Sequence, residues 1–237
     1  MIEASIIIPA LNEEKYIVKT LESARRQKAS FDYEIIVADN NSQDRTVELS
    51  EKYADRVVTV KRRGTGIGRN TGARKSRGRM LVFVDADTLI PHNYLEVARA
   101  VLEDEGISGL SCSFTFDQHS RLIDAIGELS DSYLTFRGML GKGEILGFNN
   151  AVRRETFFGA GGFPDKPMED GAFARKLWKK GRVIYLPEPK VITSARRISR
   201  NGPLTTAIYY ANLALITDLP RLPLKKLSVF KGYVPVR

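Results

Sequence analysis

Five apolar residues in a row, Met80-Leu81-Val82-Phe83-Val84, run directly into Asp85-Ala86-Asp87. A run without polar alternation offers no face to water, so it reads as a strand covered on both sides. Ser5-Ile6-Ile7-Ile8, ending at Pro9, has the same character. What separates the two runs has helical and strand periods in turn. Asn12 is placed to cap a helix, with Glu13 and Glu14 in its first turn and Ile17, Leu21 and Ala24 as its apolar stripe. Residues 33–38 read as a second strand, 39–44 as a polar turn, 45–53 as a helix and 57–60 as a third strand. Residues 64–78, rich in Gly and basic residues, read as a loop entering a short helix. Strands alternating with helices predict an α/β fold with a mostly parallel, Rossmann-like central sheet and helices on both faces.

In such sheets ligands bind beyond the carboxyl ends of the strands. Three polar segments fall there: Pro9 to Glu13, Asp39 to Ser42, and Asp85 to Asp87. Side chains alternate along a strand, so Asp85 and Asp87 point to the same side, roughly 6–7 Å apart at the backbone. Two acids at the end of a buried strand are costly without a cation. A hard divalent metal carrying a diphosphate suits them. Gly64-Thr65-Gly66-Ile67-Gly68 does not fit the dinucleotide fingerprint, which needs its glycines in the first strand-to-helix turn and in another spacing. These glycines instead let backbone pass close to a ligand, with Arg69 as a phosphate partner.

Beyond Pro91, residues 93–103 and 122–136 read as helices and 109–117 as a strand. Residues 170–180 form another helical pattern stopped by Gly181, and 182–186 another strand. Asp170 stands at the start of its helix, where it can cap, and where the helix dipole favours a carboxylate able to accept a proton. Asn149 and Asn150 suit either hydroxyl recognition of an acceptor or a turn. Arg196 and Arg197 suit either a solvated strand end or the grip of a diphosphate or acceptor phosphate. We expect one domain over residues 1–203, with 1–90 taking one ligand and 91–203 another, and a separate tail over 204–237.

Composition narrows the classes. Hydrophobic residues make up 43% and charged residues 27% of the 237, as in folded proteins. The net charge of +9 attracts anions of many kinds. Its basic residues are scattered and carry no nucleic-acid-binding signature, so no nucleic-acid partner is expected. A single cysteine, Cys112, and an amino terminus without a basic leader predict the cytoplasm, with the inner face of the membrane as the place of any lipid contact. In the tail, Ile208, Ala211 and Leu215 recur at helical spacing in an apolar run too short to span a bilayer, with Arg221, Lys225 and Lys226 behind it. That pattern suits peripheral membrane contact or packing on the domain or on a second copy in a homo-oligomer.

The order of these motifs resembles glycosyltransferase family 2, of the GT-A fold, over roughly residues 4–200. The likeness rests on Ser5 to Glu13, on Asp39-Asn40-Asn41-Ser42 with Asp44-Arg45-Thr46, on Arg69-Asn70-Thr71-Gly72, on Asp85-Ala86-Asp87 and on Glu169-Asp170. It implies a metal-dependent, inverting transfer of a sugar from a nucleoside diphosphate donor to a glycan or lipid-linked acceptor, with manganese or magnesium. By the same likeness Pro9, Ala10, Leu11 and Glu13 line the nucleoside pocket, and Asp39 with Asn41 contacts the base. Asp85 and Ala86 lie by the ribose, Asp87 and Asp85 hold the metal, and Asp170, with Glu169 beside it, is the catalytic base. Two other readings stay open: a sugar-nucleotide pyrophosphorylase, whose Gly- and Arg-containing loop after the first strand is missing here, and a nucleotide-sugar binding protein without turnover.

Overall fold

The computed structural model describes residues 1–202 apart from Pro167 and the side chains of Arg197, Arg200 and Asn201. The tail, 204–237, and the membrane contact expected of it lie outside the described residues. The elements follow in chain order as β1 (Ala4–Ala10), α1 (Ile17–Arg25), β2 (Tyr33–Asp39), α2 (Thr46–Ser50), β3 (Arg56–Thr59), α3 (Thr65–Lys75), β4 (Met80–Val84), β5 (Thr88–Leu89), α4 (Tyr94–Leu102), β6 (Ile107–Phe116), α5 (Arg121–Met139), β7 (Asn149–Arg153), α6 (Arg154–Gly159), α7 (Glu169–Leu177), β8 (Arg182–Thr193) and α8 (Arg196–Asn201).

The strands form one sheet in the order β3-β2-β1-β4-β7-β6-β8-β5. Pairings among β1 to β4 are all parallel. The second half is mixed: β7 runs antiparallel to both β4 and β6, β8 is parallel to β6, and β5 is antiparallel to β8. Alternation sorts the apolar runs onto two faces. Ile6, Ile8, Val82 and Val84 face α1 and α4, against Ile17, Leu21, Tyr94 and Leu95. Ile7, Leu81 and Phe83 face the other way, against Ala73, Phe157, Phe173 and Leu177 of α3, α6 and α7. Both faces are covered, which is why β1 and β4 can be apolar throughout.

Two local expectations are corrected. Asn12 does not cap α1, which begins after Tyr16. Asn12 lies at φ +55 and ties two loops together: its N–H donates to Ser42 Oγ and its Oδ1 accepts from Gln43 N–H. Residues 65–75 are all helix, so the expected short helix starts at once and takes in the glycines assigned to the loop. Gly68 and Gly72 point at the sheet, where a Cβ would stand 2.8 Å from Asn40 Nδ2 and 2.4 Å from Ile7 Cγ2 respectively. These glycines let α3 lie closer to β1 than any side chain would permit.

Candidate active site

Because β1, β2 and β4 are parallel, their carboxyl ends share one edge, and the loops after them supply the acidic groups. Asp39 ends β2, almost fully buried, and folds its carboxylate back onto the N–H groups of Asn41 and Ser42 at 3.1 to 3.3 Å. Asn41 takes the left-handed conformation, φ +64, and its Nδ2 donates to the Val60 carbonyl. Ala10 closes β1 and its carbonyl accepts from the Asn40 N–H at 2.8 Å, locking the first two loops together. Pro9, Ala10, Leu11 and Glu13 line this stretch, buried or nearly so.

β4 stops at Val84, so the strand alternation does not carry Asp85 and Asp87; they sit in a turn closed by Thr88 N–H donating to the Asp85 carbonyl. Each acid meets its own arginine. Arg69, on α3 and only 3% exposed, donates from Nη2 to Asp85 Oδ1 at 2.7 Å and from Nη1 to Glu169 Oε1 at 2.7 Å. Burial opposes its charge, but the carboxylates of Asp85, Glu169 and Asp170 more than restore it, so Arg69 stays cationic. Both terminal nitrogens hold carboxylates, and the group ties Asp85, after β4, to the start of α7. Arg196, on α8, forms a bidentate pair with Glu13 at 2.7 and 2.6 Å and reaches Asp87 Oδ2 at 3.0 Å. Its guanidinium lies 4.9 Å over the Tyr16 ring.

Burial pushes the Asp87 carboxyl up to about 7, against the pull of Arg196, with Asp85 and Glu13 adding to the rise. The ionised form is thus short of positive charge even beside an arginine. Burial also raises Glu169, partly offset by Arg69. Asp170 lies in the first turn of α7 without being its cap, a place taken by Met168 at φ +58; its Oδ1 accepts from the Gly171 N–H. Asp85 and Asp87 offer hard oxygen donors, and the charge deficit at Asp87 fits a divalent cation. Among the described residues no group of three or more His, Cys, Asp or Glu side chains is placed to hold a metal ion.

Asn149 and Asn150 pair with Val84 and Phe83 at the carboxyl end of β4, but their side chains are buried. Asn149 begins β7 with no exposed surface, its amide spent on Tyr94 Oη, Cys112 N–H and the Cys112 carbonyl. Asn150 is equally buried and donates to the Leu146 carbonyl. Arg197 lies in α8, its side chain outside those described. Two participants escaped the sequence reading. Tyr16 sits under Arg196 although nothing local marks it. Glu144, pushed up to about 7 by burial against the pull of Arg137, has an oxygen 3.8 Å from where a Cβ of Gly171 would stand, beside Asp170.

The family model for "Glycosyl transferase family 2" matches residues 5–157 of this chain. The chain belongs to glycosyltransferase family 2. Among its curated relatives, the glycosyltransferase AglE of Haloferax volcanii is 28% identical over 182 residues, covering 70% of this chain and 58% of that protein. The poly(ribitol-phosphate) beta-N-acetylglucosaminyltransferase TarS of Staphylococcus aureus is 31% identical over 111 residues, covering 44% of this chain and 19% of that protein. The chain spans less than two thirds of the length of these relatives. Among solved structures, the mannosyltransferase PcManGT of Pyrobaculum calidifontis, in complex with GDP-Man and Mn2+, superposes with a TM-score of 0.66 at 22% identity, covering 95% of this chain and 78% of that one. The family 2 chain therefore has the fold of the GT-A enzymes, as its sequence predicts.

Proposed function

We propose that this family 2 chain is an inverting glycosyltransferase that takes a sugar from a nucleoside diphosphate donor. The observation that carries the reading is that acids from distant parts of the chain are joined in pairs by two arginines, Asp85 and Glu169 by Arg69 and Glu13 and Asp87 by Arg196, at the sheet edge where β2 also ends in Asp39.

In this reading the loops after β1 and β2 hold the nucleoside, with Asp39 and Asn41 at the base and Pro9, Ala10, Leu11 and Glu13 along its side. Ala86 keeps the floor beneath the ribose apolar. A manganese or magnesium ion held by Asp85 and Asp87 would neutralise the departing diphosphate. Arg196 shares Asp87, so it lies within reach of the same anion and can exchange a carboxylate for a phosphate oxygen. Asp170 takes the proton from the acceptor hydroxyl as its oxygen bonds to the anomeric carbon from the face opposite the diphosphate. The bond from that carbon to the phosphate oxygen breaks in the same displacement. Glu169 is committed to Arg69, which leaves Asp170 as the freer base. The acceptor, a glycan hydroxyl or a lipid phosphate, approaches over the start of α7.

Asp170→Asn tests the assignment, since it keeps shape and removes the proton acceptor. With a panel of nucleoside diphosphate sugars and manganese, calorimetry should give unchanged donor affinity while turnover falls by roughly a hundredfold or more. Near wild-type turnover in this variant would transfer the base to another group. Donor binding without any turnover in the unsubstituted chain would favour a binding protein instead.

A further inference from the structure

Helix α5 turns an apolar seam to solvent. Its inner side is fixed: Ile123, Leu134 and Gly138 are buried, and Asp131 accepts from Ser113 Oγ on β6 and Tyr185 Oη on β8. The outer side carries Leu122, Ala125, Leu129, Ser132, Phe136 and Met139, all exposed. They follow one another at intervals of three, four, three, four and three. That is heptad spacing, the repeat by which two helices lie side by side.

Side-chain size along the seam suits a second copy of the same helix. Leu122, Leu129 and Phe136 are large, and Ala125 and Ser132 between them are small. A two-fold axis through the middle of α5 lays the second copy antiparallel and repeats every contact by symmetry. Leu122 then meets Met139 of the second copy, Ala125 meets Phe136, and Leu129 meets Ser132. Large faces small at four of the six layers, the interdigitation that dense packing needs. Glu128 faces Thr135 of the second copy rather than another acid. Parallel pairing would instead set every residue on its own copy, Phe136 against Phe136 and Ser132 against Ser132, and leave gaps at the small layers.

The area is sufficient. Leu122, Leu129, Phe136 and Met139 are between 54% and 80% exposed. At about 150–250 Å² for a full-sized side chain, they leave on the order of 500 Å² of apolar surface on each copy. With Leu140, also exposed, and Ile126 on the flank, the face approaches the roughly 800 Å² per partner of a standard interface. Charge argues against a lipid surface as the cover. α5 carries Asp124, Glu128 and Asp131 against Arg121 and Arg137, a balance of −1 (two minus three), whereas an interfacial helix is rich in cations.

We propose that this face seats a second copy of the chain, paired antiparallel through α5 in a two-fold dimer. The pairing stands on α5 alone and holds whether or not the chain transfers a sugar.

Sedimentation velocity of the full chain across roughly 1–100 µM, the range open to an interface at the small end of the standard size, should show a monomer–dimer equilibrium. Leu129→Glu puts a charge into the seam twice per dimer and should raise the dissociation constant by roughly a hundredfold or more. Circular dichroism should not change, because the residue is exposed. Lys19→Glu, on the exposed side of α1, should leave the equilibrium as it is. Disulfide capture reads the orientation. Native Cys112 is buried and its thiol is pushed up to about 12, so it does not compete. Leu129→Cys mixed with Ser132→Cys should cross-link between the two variants roughly tenfold faster than Leu129→Cys alone. A monomer throughout the range would overturn the proposal, as would a dimer that survives Leu129→Glu. Capture of Leu129→Cys alone at the mixed rate or faster would mean parallel pairing and overturn it too. A monomer that binds phosphatidylglycerol vesicles and loses them in Leu129→Glu would give the face to a membrane instead.

Discussion

Asp87 is the residue at which stability and chemistry pull apart. Its folded carboxyl titrates near 7, whereas an unfolded aspartate titrates near 3.9. Between those values the folded chain holds a proton that the unfolded chain has lost, so stability falls as pH rises. The stabilisation from this group is complete below about pH 4 and gone once the pH has passed 7. Asp87→Asn removes the buried charge while Arg196 keeps Glu13 as its partner. The variant should therefore melt above the wild type at pH 7.5, and the gap should shrink toward pH 5 as the wild-type group takes up its proton; differential scanning calorimetry in the absence of metal reads both. The same side chain needs to be ionised to hold a divalent ion. Metal affinity of the wild type should rise with pH up to about 7 and then level off, and the variant should lose that dependence. Sequence alone marked Asp87 because two acids after an apolar run are conspicuous. It could not give Arg196 as the partner, since 109 residues separate them (196 minus 87).

At the level of the elements, α3 shows how a motif can be seen and the extent of its helix misjudged. Its glycines argue against a helix on propensity alone, at about 1 kcal/mol each relative to alanine. Their purpose appears only once the sheet is in place: Gly68 and Gly72, one turn apart, face Asn40 and Ile7 across a gap with no room for a methyl group. The close approach brings Arg69, on the same helix, to the edge where Asp85 and Glu169 meet it. Gly72→Ala should cost about 1–2 kcal/mol through overpacking, less the propensity gain, and lower the melting temperature by about 2–6 °C. Gly159→Ala, where a Cβ would meet nothing within 4 Å, should leave it unchanged. The asparagines of β7 failed in the other direction. Asn149 suited acceptor recognition or a turn because its side chain is polar. Its partners Tyr94 and Cys112 lie 55 and 37 residues away, and they make it part of the core.

For the molecule as a whole, the parallel half of the sheet was legible and the mixed half was not. β1, β2 and β4 announce themselves by apolar runs, turn residues and spacing, whereas β5 and β7 are set by antiparallel pairings between segments far apart in sequence. Because the edge proposed to bind the donor is built by loops from both halves, ligand binding should report on the entire fold. A nucleoside diphosphate with manganese at about a hundred times its dissociation constant adds about 2.7 kcal/mol. That should raise the melting temperature of a chain this size by roughly 5–10 °C. Asp87→Ala should abolish the metal-dependent part of the rise, as thermal-shift measurement will show.

Glu13 and Arg196 touch across 183 residues. During synthesis Glu13 and Asp87 leave the ribosome long before their arginine is made. Contacts of such separation form late, because the intervening chain must first give up its freedom. An incomplete chain therefore carries an edge of acids with no counter-charge from α8, and the pairing of that edge is complete only when nearly all of the domain has folded.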